Sequence, residues 1–159
     1  MKKGFTMIEL IFVIVILGVL ASVAIPRLAA TRDDAEVAKA ATNLTTAVSD
    51  ITAYYTAKGK FSTTSNFTEI TNALDKSGNL KVKGSTVCVV VKLPDATAQK
   101  ASGAVKLTLE FKKDADPVCK QLAKLPGILT MCKVDTNGQS PIVSNNCEIQ
   151  IGGSGGIQF

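Results

Sequence analysis

Lys2-Lys3-Gly4-Phe5-Thr6-Met7-Ile8-Glu9-Leu10 opens an apolar run that continues to Ile25, and the reading of this stretch decides the architecture. Residues 10–25 carry no charge. Counted from residue 5, a helix of this length covers about 31 Å, enough to cross a bilayer. A carboxylate is costly in such a segment: insertion scales charge about 2.5–3.5 kcal/mol for an ionised residue at mid-bilayer, and less near an interface. Glu9 therefore needs a partner. The nearby sequence offers none except the amine that a cut after Gly4 would create at Phe5.

The glycine, the aromatic, the acid and the apolar run together resemble the prepilin leader of type IV pilins and of type II secretion pseudopilins. The resemblance covers about the first 30 residues. It implies that a prepilin peptidase cuts between Gly4 and Phe5, that Phe5 is then N-methylated, and that Glu9 serves filament assembly. It implies an assembly role for Phe5, Gly18 and Pro26 as well, the last two marking where the helix loosens or bends. The partners it implies are other pilins, homo- or hetero-polymerised, the peptidase and an inner-membrane assembly platform.

Two features weigh on compartment and topology. Lys2 and Lys3 precede the run and Arg27, Arg32 and Lys39 follow it, so charge alone does not orient the segment. Cys88, Cys119, Cys132 and Cys147 all lie beyond it. An even count behind an export signal predicts two disulfides in an oxidising compartment, which puts the C-terminal part in the periplasm. The organisation expected is a leader at 1–4, a membrane-spanning assembly helix at 5–26 and a head domain at 27–159. An ordinary secretory signal cut after Ala24 is the competing reading. Small residues at 21–24 fit it, but Glu9 would interrupt the apolar core and Pro26 would sit just past the cut.

The helical pattern outlasts the membrane run. Val37, Ala41, Leu44, Val48, Ile51 and Tyr55 form an apolar stripe at helical spacing. A helix from residue 5 to about 57 would be about 80 Å long. Its first half is apolar all round and needs lipid or neighbouring copies; its second half has one apolar face and needs a domain to cover it. Pro26 removes a backbone hydrogen bond, and Gly18 weakens the helix by about 1 kcal/mol against alanine.

In the head, residues 59–65 read as a loop and 66–74 as a short helix with Asn66 as its cap. Residues 86–93 and 105–111 read as strands, the second alternating Val105, Leu107, Leu109 and Phe111 with polar residues, and their polar connection predicts an antiparallel pair. A short helix begins at Asp116-Pro117, with Val118, Leu122 and Leu125 on its apolar face, and ends at Pro126-Gly127. Residues 128–134 read as a third strand, 135–138 as a turn and the Cys147-Ile149-Ile151 alternation as a last strand, before a flexible glycine-rich segment. The fold class is therefore α+β: a long N-terminal helix on a small antiparallel sheet, with two disulfides. Four cysteines allow three pairings. Cys132–Cys147 is favoured because both flank one predicted turn, which leaves Cys88–Cys119.

Without histidine, no Ser-His-Asp or Cys-His nucleophile can be built. No phosphate-cradling glycine loop follows a strand. These absences argue against an enzyme, and no cofactor is expected. Asp135-Thr136-Asn137-Gly138 resembles part of a calcium loop, but only Asp135 brings full charge, with Glu148 distant, so a plain turn is the preferred reading and no metal is expected. Net charge is +5 and the basic residues form no run, which permits contact with DNA without indicating it. Tyr54, Tyr55 and Phe61 read as core. The expected function is a structural pilus subunit that waits in the inner membrane and ends in a filament serving motility, adhesion or DNA uptake. The alternatives are a pseudopilin of a secretion or competence system and a soluble exported binding domain.

Overall fold

The computed structural model describes residues 4–61, 66–94, 104–112, 114, 116–133 and 146–153. The chain forms two compact units, Met1–Ala35 and Glu36–Phe159. One helix, α1 (Met7–Lys58), runs unbroken through Pro26. It stops where Gly59 takes a positive φ of 70° and donates its N–H to the Tyr55 carbonyl at 2.7 Å, a left-handed cap that glycine adopts without strain.

Four strands follow: β1 (Asn79–Val82), β2 (Thr86–Lys92), β3 (Val105–Phe111) and β4 (Asn146–Gly152). Each pairs antiparallel with the next, in the order β1-β2-β3-β4. The β3 alternation works as its sequence requires: Val105, Leu107, Leu109 and Phe111 are buried, and the residues between them are not. Leu109 stands between Val91 of β2 and Cys147 of β4, so the middle of the sheet is apolar across three strands. Against it lie Val37, Ala40, Leu44, Ala47 and Ile51 of α1. The inner line of the helix is thus 37-40-44-47-51. Ala41, Val48 and Tyr55 flank it, only partly buried. Tyr54 and Tyr55 both stack on Phe61, at centroid distances of 6.0 and 5.5 Å, and Phe61 and Tyr55 pack on the core.

Several local expectations are corrected. Of the strand expected over 128–134, the described residues 128–133 form none. Pro117–Leu122 forms α2 and Pro126–Met131 forms α3, each with proline in its first turn. Proline's fixed φ suits that position, and the N–H groups of Ile128 and Leu129 both bond to the Leu125 carbonyl at 3.0 Å. Ile128 and Leu129 are buried side by side, where a half-buried strand would alternate. Pro126-Gly127 starts a helix rather than ending one. The helix expected over 66–74 contracts to one 3₁₀ turn (Phe67–Glu69), capped by the Asn66 side chain. Beyond it the buried Thr71 hydroxyl donates to Asp50 of α1 at 2.7 Å and accepts from the Ala73 N–H, which fixes the connection to the helix. Strand β1 was not foreseen. The expected turn at 135–138 lies outside the described residues, as does all but the start of the glycine-rich tail.

The disulfides are Cys88–Cys119 and Cys132–Cys147, the favoured pairing. The first joins β2 to α2. The second joins the end of α3 to β4, so Cys132 is not on a strand. A closed loop with a separation of 15 residues is worth about 3 kcal/mol through the unfolded chain.

The lead into β1 is held by one carboxylate. Asp75 Oδ1 accepts from the N–H groups of Ser77 and Asn79, both at 2.9 Å, while Oδ2 accepts from the Asn79 amide at 3.1 Å and pairs with Lys81 at 2.9 Å. Burial alone would raise its pKa. The bonds from Asn79, Lys81 and Ser77 outweigh burial and hold the carboxyl well below the usual range. Its contribution is therefore complete above the unfolded aspartate value of about 3.9 and is lost as pH falls below that toward the depressed folded value. Unfolding of the full chain in detergent, followed by near-UV circular dichroism, should show Asp75→Asn about 1–2 kcal/mol less stable at pH 7. The gap should shrink steadily below pH about 4. A gap independent of pH contradicts the assignment.

Gly78 has φ 79°, and a Cβ there would press into the Phe67 ring and the Val91 carbonyl. Gly84 has a similar φ of 84° and open space around it. Gly78→Ala should cost more than about 1 kcal/mol and clearly more than Gly84→Ala in the same unfolding measurement.

Candidate assembly site

Every exposed large hydrophobic side chain recorded among the described residues lies between residues 5 and 28. Phe5 is 84% exposed and Leu28 68%, and all positions between them that bear a large apolar group are open as well. Helix Met7–Lys58 is the one element among the described residues long and apolar enough to cross a membrane. The exposed apolar surface far exceeds the few hundred Å² a soluble monomer tolerates. It must meet lipid or other protein.

Within residues 4–26 only Thr6, Glu9 and Ser22 have polar side chains. Ser22 is satisfied inside the helix, its hydroxyl donating to the Val19 carbonyl at 2.7 Å. Glu9 is the one charge. Contrary to the expectation that its own chain offers no partner, Thr6 supplies two hydrogen bonds. The Thr6 N–H donates to Glu9 Oε2 at 2.9 Å, and the Thr6 hydroxyl donates to the same oxygen at 2.6 Å. Thr6 stands just before the first helical residue, Met7, and Glu9 occupies the third helical position. This is the Thr-x-x-Glu capping spacing, in which the acid reaches back to an orphan N–H at the helix start. That four-residue signal was present in the sequence and would have identified Thr6. The bonds satisfy acceptor sites but leave the negative charge uncompensated.

Gly4 and Phe5 precede the helix. Gly18 and Pro26 both lie inside it, and a Cβ at Gly18 would meet nothing within 4 Å, so the glycine leaves an open notch on the helix surface. Of the other residues singled out, Asp135 lies outside the described residues, and Glu148 is paired with Lys106 at 2.9 Å. Among the described residues no three acids or cysteines are grouped so that they could hold a metal. Asn66 spends its side-chain oxygen on the Thr68 hydroxyl and N–H.

An apolar helix open on all sides, joined in sequence to a disulfide-stapled α+β head, defines a membrane-anchored subunit class. Residues 1–25 match the family model described as "Prokaryotic N-terminal methylation motif". Over 146 residues the chain is 34% identical to a fimbrial protein of Pseudomonas aeruginosa, with 79% of this chain and 88% of the relative covered. A second fimbrial protein of the same organism matches with the same identity and coverage. No solved structure matches. The chain belongs to the type IV pilin family. It is a pilin subunit, a structural protein of that family.

Proposed function

We propose that the chain is the subunit of a type IV pilus filament, assembled from the inner membrane. In this reading residues 1–4 are removed by prepilin peptidase and Phe5 becomes the N-methylated first residue. Residues 5–26 first anchor the subunit with its head, 27–159, in the periplasm. An assembly platform then draws them into the filament, where the apolar helices of many copies exclude lipid and form the core.

The observation that carries this is the lone acid in the otherwise uncharged, uncovered stretch of residues 5–26. The amine freed at Phe5 is cationic and remains so after methylation. Placed in a filament core, the carboxylate of one copy and the ammonium of a neighbour are each costly alone and tolerable together, and pairing them sets register. Gly18 and Pro26 mark the section of the helix that yields during packing. The two fimbrial relatives favour a pilus over a pseudopilin of a secretion or competence system. Filaments that extend from cells rather than remaining in the periplasm would separate these two.

Glu9→Ala should leave the head folded and the subunit in the membrane while abolishing filaments recovered by shearing. Intact filaments from a Glu9→Ala strain would refute the charge-pairing mechanism.

A further inference from the structure

We propose that Thr6 is a positioning residue for assembly: it holds Oε2 of Glu9 from within the same chain and leaves Oε1 to receive the ammonium group of a second copy. The inference rests on the filament reading above and adds to it the device that aims the acid. Both Thr6 bonds converge on one oxygen, at 2.9 and 2.6 Å. The hydroxyl contact has the short length of a charge-assisted O–H···O⁻ bond. Both donors outlast removal of the leader. A cut between Gly4 and Phe5 turns the Phe5 nitrogen into an amine but leaves the Phe5–Thr6 peptide N–H and the Thr6 hydroxyl unchanged.

The arrangement does two things. While a subunit waits in lipid, two acceptor sites of the carboxylate are already filled, which lowers the cost of keeping a carboxylate where water is scarce. It also ties the acid to the first turn of α1, so the remaining oxygen is held on a short tether beside the N-terminus. Less side-chain freedom is then left to lose when the neighbour's cation arrives. Serine at position 6 retains both donors. Valine retains the shape and the N–H but removes the hydroxyl.

The test uses full-length chains in the pilus-assembling cell, with sheared filaments measured against total membrane-held subunit. Thr6→Ser should assemble like the parent, and Thr6→Val should give roughly tenfold fewer filaments or worse, the loss expected for one charged hydrogen bond. If Glu9→Ala forms filaments, the filament mechanism itself fails. If Glu9→Ala fails to assemble while Thr6→Val assembles like the parent, only the positioning role is overturned. A second readout is independent of processing and assembly: infrared spectra of the ¹³C-glutamate-labelled full chain in phospholipid vesicles, with a Glu9→Gln difference isolating the Glu9 carboxylate band. Thr6→Val should shift that band and Thr6→Ser should not. An unmoved band in Thr6→Val overturns the inference even if that variant is poorly cleaved.

Discussion

A single uncompensated negative charge in the otherwise uncharged stretch of residues 4–26 is the constraint on which the proposed filament depends. Glu9 has no counter-charge within its own apolar stretch: no basic side chain lies between residues 4 and 26. Two hydrogen bonds from Thr6 ease its desolvation without cancelling its charge. A membrane helix built to stay in lipid gains nothing from such a group. A helix built to leave lipid for contact with copies of itself gains a polar lock that distinguishes correct from incorrect register, because an unpaired buried ion is costly and a matched pair is tolerable.

The head answers a different demand. Four antiparallel strands and the residues of α1 from Val37 to Ile51 enclose one small core, and two disulfides staple the short helices α2 and α3 to the sheet. Local polar groups complete the fit: Asp75 gathers the turn into β1, Asp116 caps α2, and Thr71 ties the connecting segment to Asp50. For Asp116 the Val118 N–H is the main cause of a lowered pKa, opposed by burial and aided by Lys83, so the cap is strongest as a carboxylate. The same chain thus divides its apolar residues between an exposed surface over residues 5–28 and a core enclosed within the head.

Much of this was legible in the residues. Strong periodicity carries the most information: the alternation of β3 and the long stripe of α1 both appear where their spacing puts them, though Ala40 and Ala47 take the inner line in place of Ala41 and Val48. Short apolar runs carry less. Ile128 and Leu129 look equally like strand or helix, and the deciding fact is that Pro126 opens a turn of helix as readily as it closes one. Strand β1 is four residues long, with only Leu80 and Val82 buried on either side of the exposed Lys81, so its alternation is too brief to register. The Cys132–Cys147 pair was favoured although Cys132 sits at a helix end, because closeness in sequence brings the two together in either geometry. At the candidate assembly site Glu9 stands out by its charge, whereas Thr6 does not, since a hydroxyl beside a helix start is common. Its two bonds to Glu9 require a spacing of three from the acid as well as the hydroxyl.

The mass of the mature N-terminus tests the central claim most directly. Subunit purified from membranes or filaments should begin at Phe5 and carry one added methyl group on its amine, placing a protonated, cationic amine where a neighbouring Glu9 can meet it. A chain beginning at Ile25, or anywhere else beyond Phe5, would remove that cation from the helix start and contradict the account.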